Sequence, residues 1–145
     1  MIEVEWWDYD SPKELAEAVA GDVGFIIDSA VEARSASLVA LPGGAEEAPL
    51  LAKLAGQRLP WKRVTIIPTD DFVVAVDDER SKIRSIAKTF LPLGARVFPV
   101  VSGGAEDYRA AGNAADARLQ DLPWPPDLVW LTMDEHVRQG VGLGN

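Results

Sequence analysis

Two hydrophobic periods alternate along the chain. Short runs of adjacent or alternating apolar residues are separated by longer stretches in which apolar residues recur every three or four positions. That alternation predicts β and α units on a mostly parallel sheet with helices on both faces, a Rossmann-like α/β fold. The first run, residues 2–7 (Ile2 to Trp7), reads as a strand. Ser11-Pro12-Lys13-Glu14 then supplies a helix start, with Ser11 as cap, Pro12 in the first turn and Glu14 placed to close a capping box. The helix is expected to run to about Ala33 and to bury Leu15, Val19, Val23, Ile26, Ile27, Ala30 and Val31. Gly21 and Gly24 each weaken it by about 1 kcal/mol relative to alanine, which points to close packing.

Ser37-Leu38-Val39-Ala40-Leu41 is a short apolar run stopped by Pro42-Gly43-Gly44, and Glu46-Glu47 opens a helix carrying Leu50, Leu51 and Leu54. After Leu59-Pro60-Trp61, the β-branched run Val64-Thr65-Ile66-Ile67-Pro68 predicts a strand that leads into Thr69-Asp70-Asp71. A helix is expected from about Ser81 to Leu91, burying Ile83, Ile86, Ala87 and Phe90. Arg96-Val97-Phe98-Pro99-Val100-Val101 follows as a strand whose proline assigns it to an edge or a strand end. A helix over roughly Ala105 to Leu119, with Tyr108, Ala111, Ala115 and Leu119 on one face, precedes a fifth strand, Asp127 to Leu131. Residues 1–139 are expected to form one domain and 140–145 a glycine-rich flexible tail.

Composition narrows the classes of partner. Of the 145 residues, 23 are acidic and 14 basic, a formal charge of −9 that disfavours nucleic acid and anionic lipid as partners. There are no cysteines, so disulfides, thiolate metal sites and a cysteine nucleophile are excluded. Met1-Ile2-Glu3-Val4-Glu5 lacks the basic start of a secretion signal, and no run approaches the ~18 apolar residues of a membrane span, so a cytoplasmic protein is expected. Asp70, Asp71, Asp77, Asp78 and Glu79 match no calcium-loop spacing. Asp77 and Asp78 precede a helix, where acids cap free amides, and capping is favoured over a metal. The five tryptophans have no basic stripe beside them and read as packing residues.

In open parallel sheets ligands gather at the carboxyl ends of the strands, so chemistry is sought in the turns after the second, third and fifth strands. Those turns read Leu41-Pro42-Gly43-Gly44, then Leu59-Pro60-Trp61-Lys62-Arg63-Val64-Thr65 leading to Thr69-Asp70-Asp71, and Asp127-Leu128-Val129-Trp130-Leu131 with His136 nearby. Together they resemble the glucosamine-6-phosphate isomerase/6-phosphogluconolactonase family, specifically the N-terminal two thirds of the lactonase fold. The resemblance implies hydrolysis of 6-phospho-gluconolactone to 6-phosphogluconate in the pentose phosphate pathway, with no metal and no organic cofactor. It implies His136, the only histidine, as the base that activates water. Gly43, Gly44, Asp70, Asp71, Ser81 and Lys82 are implied as residues lining the site of a sugar-phosphate lactone.

Three departures from the family pattern change that expectation. Glu46 and Glu47 stand at the helix start where a small hydroxyl would help hold phosphate; they suit the helix dipole and repel an anion. Phe72 occupies the place of a phosphate-binding arginine, and Lys82, where asparagine is expected, offers only a mobile point charge in its stead. The glycine loop before His136 is two residues shorter than the pattern, and Glu135 and Val137 replace small neighbours. An impaired or inactive lactonase is therefore expected. The alternative is a non-catalytic scaffold or assembly module, natural or engineered, forming a homo-oligomer through an apolar patch of Phe72, Val73 and Val74 beside Leu50 and Leu51. An isomerase acting on an amino sugar phosphate shares the fold group, but the Leu59-Pro60-Trp61 segment favours the lactonase branch.

Overall fold

The computed structural model describes residues 3–100 and 107–132. Its first element, helix α1 (Pro12–Arg34), begins as the capping pattern requires. Ser11 is extended, and its Oγ accepts a hydrogen bond from the Glu14 amide at 3.2 Å. The helix ends where Ser35 turns left-handed (φ 63°) and donates its N–H to the Val31 carbonyl.

The buried stripe of α1 is Ala16, Ala20, Val23, Gly24, Ile27 and Ala30. Val23, Ile27 and Ala30 are as expected; Val19, Ile26 and Val31 are half-buried, and Leu15 is exposed. The stripe is rotated toward small residues because the neighbouring segment comes close. Helix α2 (Ala48–Ala55) is followed by Gln57, whose amide fills the space a Cβ at Gly24 would need and donates to the Ala20 carbonyl. Gly21, by contrast, faces open space.

Among the described residues the sheet has four parallel strands: β1 (Ser37–Leu41), β2 (Val64–Pro68), β3 (Arg96–Val97) and β4 (Leu128–Val129), in the order β3-β2-β1-β4. Every residue of β1 and β2 is buried, Ser37 and Thr65 included, as expected of central parallel strands covered on both faces. Pro99 follows β3 at the sheet edge, where a missing N–H interrupts no ladder. The expected strand at 2–7 is not formed. Residues 3–9 lie in no strand, and Val4, Trp6 and Trp7 are exposed. A strand needs a ladder partner, and both edges of β1 are already taken by β2 and β4.

Successive side chains of the central strands face opposite layers. Val39, Leu41, Val64 and Ile66 pack with Val23 and Ile27 of α1, Leu51 and Leu54 of α2, Trp61, and Ile83, Ile86 and Phe90 of helix α3 (Lys82–Phe90). The Trp61 and Phe90 rings meet at 5.2 Å in a tilted pair. On the other face Leu38, Ala40 and Ile67 are covered by Phe98, Leu122 and Leu119 of helix α4 (Tyr108–Leu119). Helix α4 starts at Asp107, whose carboxylate accepts from the Ala110 amide; the expected start at Ala105 lies outside the described residues. Strand β4 is held by Asp127, which accepts from the Leu38 amide at 2.9 Å and pairs with Arg34. The expected 140–145 tail also lies outside the described residues.

Phe90 is fully buried and Phe25 is 74% exposed. Phe90→Ala is expected to cost about 3–5 kcal/mol of unfolding free energy, and Phe25→Ala no more than about 0.5 kcal/mol, as read from urea midpoints.

Candidate functional site

The carboxyl ends of β1 and β2 present two turns side by side, tied by a hydrogen bond from the Thr69 amide to the Leu41 carbonyl at 3.1 Å. After β1, Pro42 and Gly43 are buried. A Cβ on Gly43 would collide with the backbone carbonyl of Lys82, so only glycine lets this turn press against the start of α3. Gly44 precedes a 3-10 turn, Ala45–Glu47, and the Glu47 carboxylate folds back over it into the space a Cβ would occupy. A negative charge thus sits against the glycine turn.

After β2, the Asp71 carboxylate reaches across to α3. One oxygen accepts from the amides of Phe72 (2.8 Å) and Lys82 (2.7 Å), the other from the Ile83 amide (3.1 Å). Ser81, buried at the N-cap, accepts from the Arg84 amide at 3.3 Å. Three of the first free amides of α3 are therefore satisfied by side chains of the protein itself. Lys82 sends its ammonium to Asp70, and the same Nζ lies 5.4 Å from the centre of the Phe72 ring.

Of the implied site residues, Gly43, Asp70, Asp71, Ser81 and Lys82 meet at one place, with Gly44 adjoining. His136 lies outside the described residues. Phe72 is more than half exposed, whereas Leu51 is buried in the core and cannot belong to an exposed patch. Asp77 and Asp78 do not cap α3, contrary to expectation. Asp78 instead holds Arg80 through its backbone amide (2.8 Å), Nε (3.1 Å) and a terminal guanidinium nitrogen (3.0 Å), and these bonds lower its carboxyl to about 2. The first amides of α3 are taken instead by Asp71 and Ser81. Among the described residues no cluster of acids and imidazoles could hold a metal. The contribution of Asp71 went unseen because it caps a helix that begins eleven residues later, beyond any local capping pattern.

Residues 10–137 match the family model described as glucosamine-6-phosphate isomerases/6-phosphogluconolactonase. The chain belongs to this family. It is 34% identical over 128 residues to a 6-phosphogluconolactonase of Rhizobium meliloti, covering 86% of this chain and 55% of the relative. It is 34% identical over 125 residues to one of Pseudomonas putida, covering 85% of this chain and 51% of the relative. Among solved structures, a 6-phosphogluconolactonase from Shewanella baltica superposes with a TM-score of 0.77 at 23% identity, over 83% of this chain and 53% of that one. The enzyme from Thermotoga maritima gives 0.66 at 22% identity, over 79% and 53%. The chain thus spans about half the length of the relatives it matches. Within this member of the family, the parallel α/β fold is the one those structures share.

Because Asp71 bridges the β2 turn to α3, Asp71→Ala is expected to lower stability by about 1–3 kcal/mol and to speed hydrogen exchange of the Lys82 and Ile83 amides. Asp77→Ala, at an exposed position without a hydrogen bond to α3, should leave both within error.

Proposed function

We propose that this domain carries a lactonase-type activity on the lactone of a phosphorylated sugar acid, 6-phospho-gluconolactone, in the cytoplasm, and that the activity is impaired. The observation that supports it is the convergence of Gly43, Asp71, Ser81 and Lys82 at the carboxyl edge of the two central strands, where the donors are already engaged. The Lys82 ammonium at this edge is paired with Asp70, from which a substrate phosphate must draw it. In the reaction His136 takes a proton from water, the resulting hydroxide attacks the lactone carbonyl, and the ring C–O bond breaks to release the hydroxy acid. The sugar-acid alkoxide receives a proton from the imidazolium, so the histidine returns to its neutral state.

Acid release from 6-phospho-gluconolactone, followed against spontaneous hydrolysis, is the test. A rate above background is expected, falling by about 10²-fold or to background in His136→Ala, within the usual range for a general base. A rate unchanged by added protein would sink the proposal.

A second reading, an assembly module built on this fold, is favoured by one observation: Phe72 and Val76 are exposed beside the site at 54% and 42%. Its occupant is a second copy of the chain. Sedimentation should then show a concentration-dependent dimer lost in Phe72→Ser; a clean monomer at high concentration removes it.

A further inference from the structure

The opposite end of the sheet carries a charge pattern that no family role absorbs. A cavity of about 460 Å³ lies between the amino ends of the strands, lined by Lys62, Arg63, Arg96, Arg118, Asp121 and the ring of Phe98. Acids outnumber bases in the chain, 23 to 14, yet among the described residues that line this cavity four are cationic and one, Asp121, is acidic.

Local compensation is incomplete. The carbonyl ends of α1 and α4 reach this edge, and each offers at most about half a negative charge. Set against Lys62, Arg63 and Arg96 alone, these ends and Asp121 leave about one positive charge unbalanced among the described residues. Arg118 is committed to carbonyls, donating to Val100 at 2.9 Å. Lys62, Arg63 and Arg96 form no salt bridge among the described residues. Arg34, which lines the neighbouring cavity, shows the contrast, since Asp127 neutralises it. The Lys62 stem is not free to swing away at its base, because it packs across Gly94, whose φ of 100° brings that turn close.

We infer that this amino-edge cavity binds a polyphosphate chain, two or more linked phosphates, through Lys62, Arg63 and Arg96. Guanidinium forks take phosphate oxygens in pairs, and several like charges around one cavity are relieved best by a ligand carrying several negative charges. The volume lies in the usual range for small-molecule sites. The cavity is separate from the lactone site: it opens at the amino ends of strands five residues long, about 13–16 Å from the turns that follow them.

Isothermal titration with inorganic tripolyphosphate at 0.15 M salt tests this directly, with ATP and monophosphate as comparison ligands. Tripolyphosphate is expected to bind one to one and at least about tenfold more tightly than monophosphate. Arg63→Ala with Arg96→Ala should weaken it at least about tenfold, while Lys82→Ala and Lys53→Ala leave it unchanged. Equal affinities for tripolyphosphate and ATP identify the phosphate chain alone as the ligand; tighter ATP adds the nucleoside, stacked on Phe98. In the unmodified protein, amide shifts induced by tripolyphosphate should centre on residues 35–36, 62–65, 96–98 and 118–122. Absence of binding at 0.15 M salt, or binding lost in Lys82→Ala and kept in the double variant, overturns the inference.

Discussion

The Asp71 carboxylate accepts three backbone amides, its neighbour's and the first two of α3, and the geometry of the whole carboxyl edge follows from that contact. Hydrogen bonds to a charged acceptor are stronger than those between neutral groups, and a negative charge at a helix start is favoured further by the dipole. The consequence reaches the core. Helix α3 inserts Ile83, Ile86 and Phe90 against β2 and Trp61, so fixing its first turn fixes how those side chains enter. It also sets the distance to the β1 turn, which is why Gly43 has no room for a side chain beside the Lys82 carbonyl.

The same contact limits what the site can offer a substrate. Amides at a helix start hold phosphate only while they are free to donate, and here Asp71 and Ser81 take those of Lys82, Ile83 and Arg84. What remains is the Lys82 ammonium, shared between the Asp70 carboxylate and the face of Phe72. A phosphate approaching it meets Asp70 and, across the turn, Glu47 over Gly44. An arginine at position 72 would add a second cation and a planar fork; phenylalanine instead stabilises the lysine in place. Family membership rests on the fold and its backbone contacts, while the amide donors at this edge are occupied by the protein's own side chains.

Local signals in the sequence were reliable wherever a feature is closed within one turn of helix or one run of strand. Ser11 capping Glu14, the buried runs of β1 and β2, and the Ile83, Ile86 and Phe90 stripe all depend on residues within a few positions of each other. Features that depend on distant partners were not legible. Val4, Trp6 and Trp7 have strand-like apolar character but no ladder to join, and Leu15 lost its burial because α1 turned its alanines toward the tight contact at Gly24. Asp77 and Asp78 looked like caps by proximity, while Asp71 became one through space. The candidates Gly43, Asp71, Ser81 and Lys82 lie together because the turns that carry them share one edge; that Ser81 and Asp71 point into the helix start required the structure.

The two ends of the sheet divide the charge in a way that follows from helix polarity. In a parallel α/β layer the helix starts gather at the carboxyl edge and attract acids, and the helix ends gather at the amino edge and attract bases. Glu46, Glu47, Asp70 and Asp71 obey the first half of that rule, and Lys62, Arg63, Arg96 and Arg118 the second. The two halves differ in closure. At the carboxyl edge the acids find amides and a lysine, so the charge is spent inside the fold. At the amino edge Lys62, Arg63 and Arg96 form no salt bridge among the described residues, and the helix ends can absorb only part of their charge. The carboxyl edge, where the lactone site is proposed, is thus satisfied by the protein's own side chains. The opposite edge is the one whose electrostatics still call for an anion.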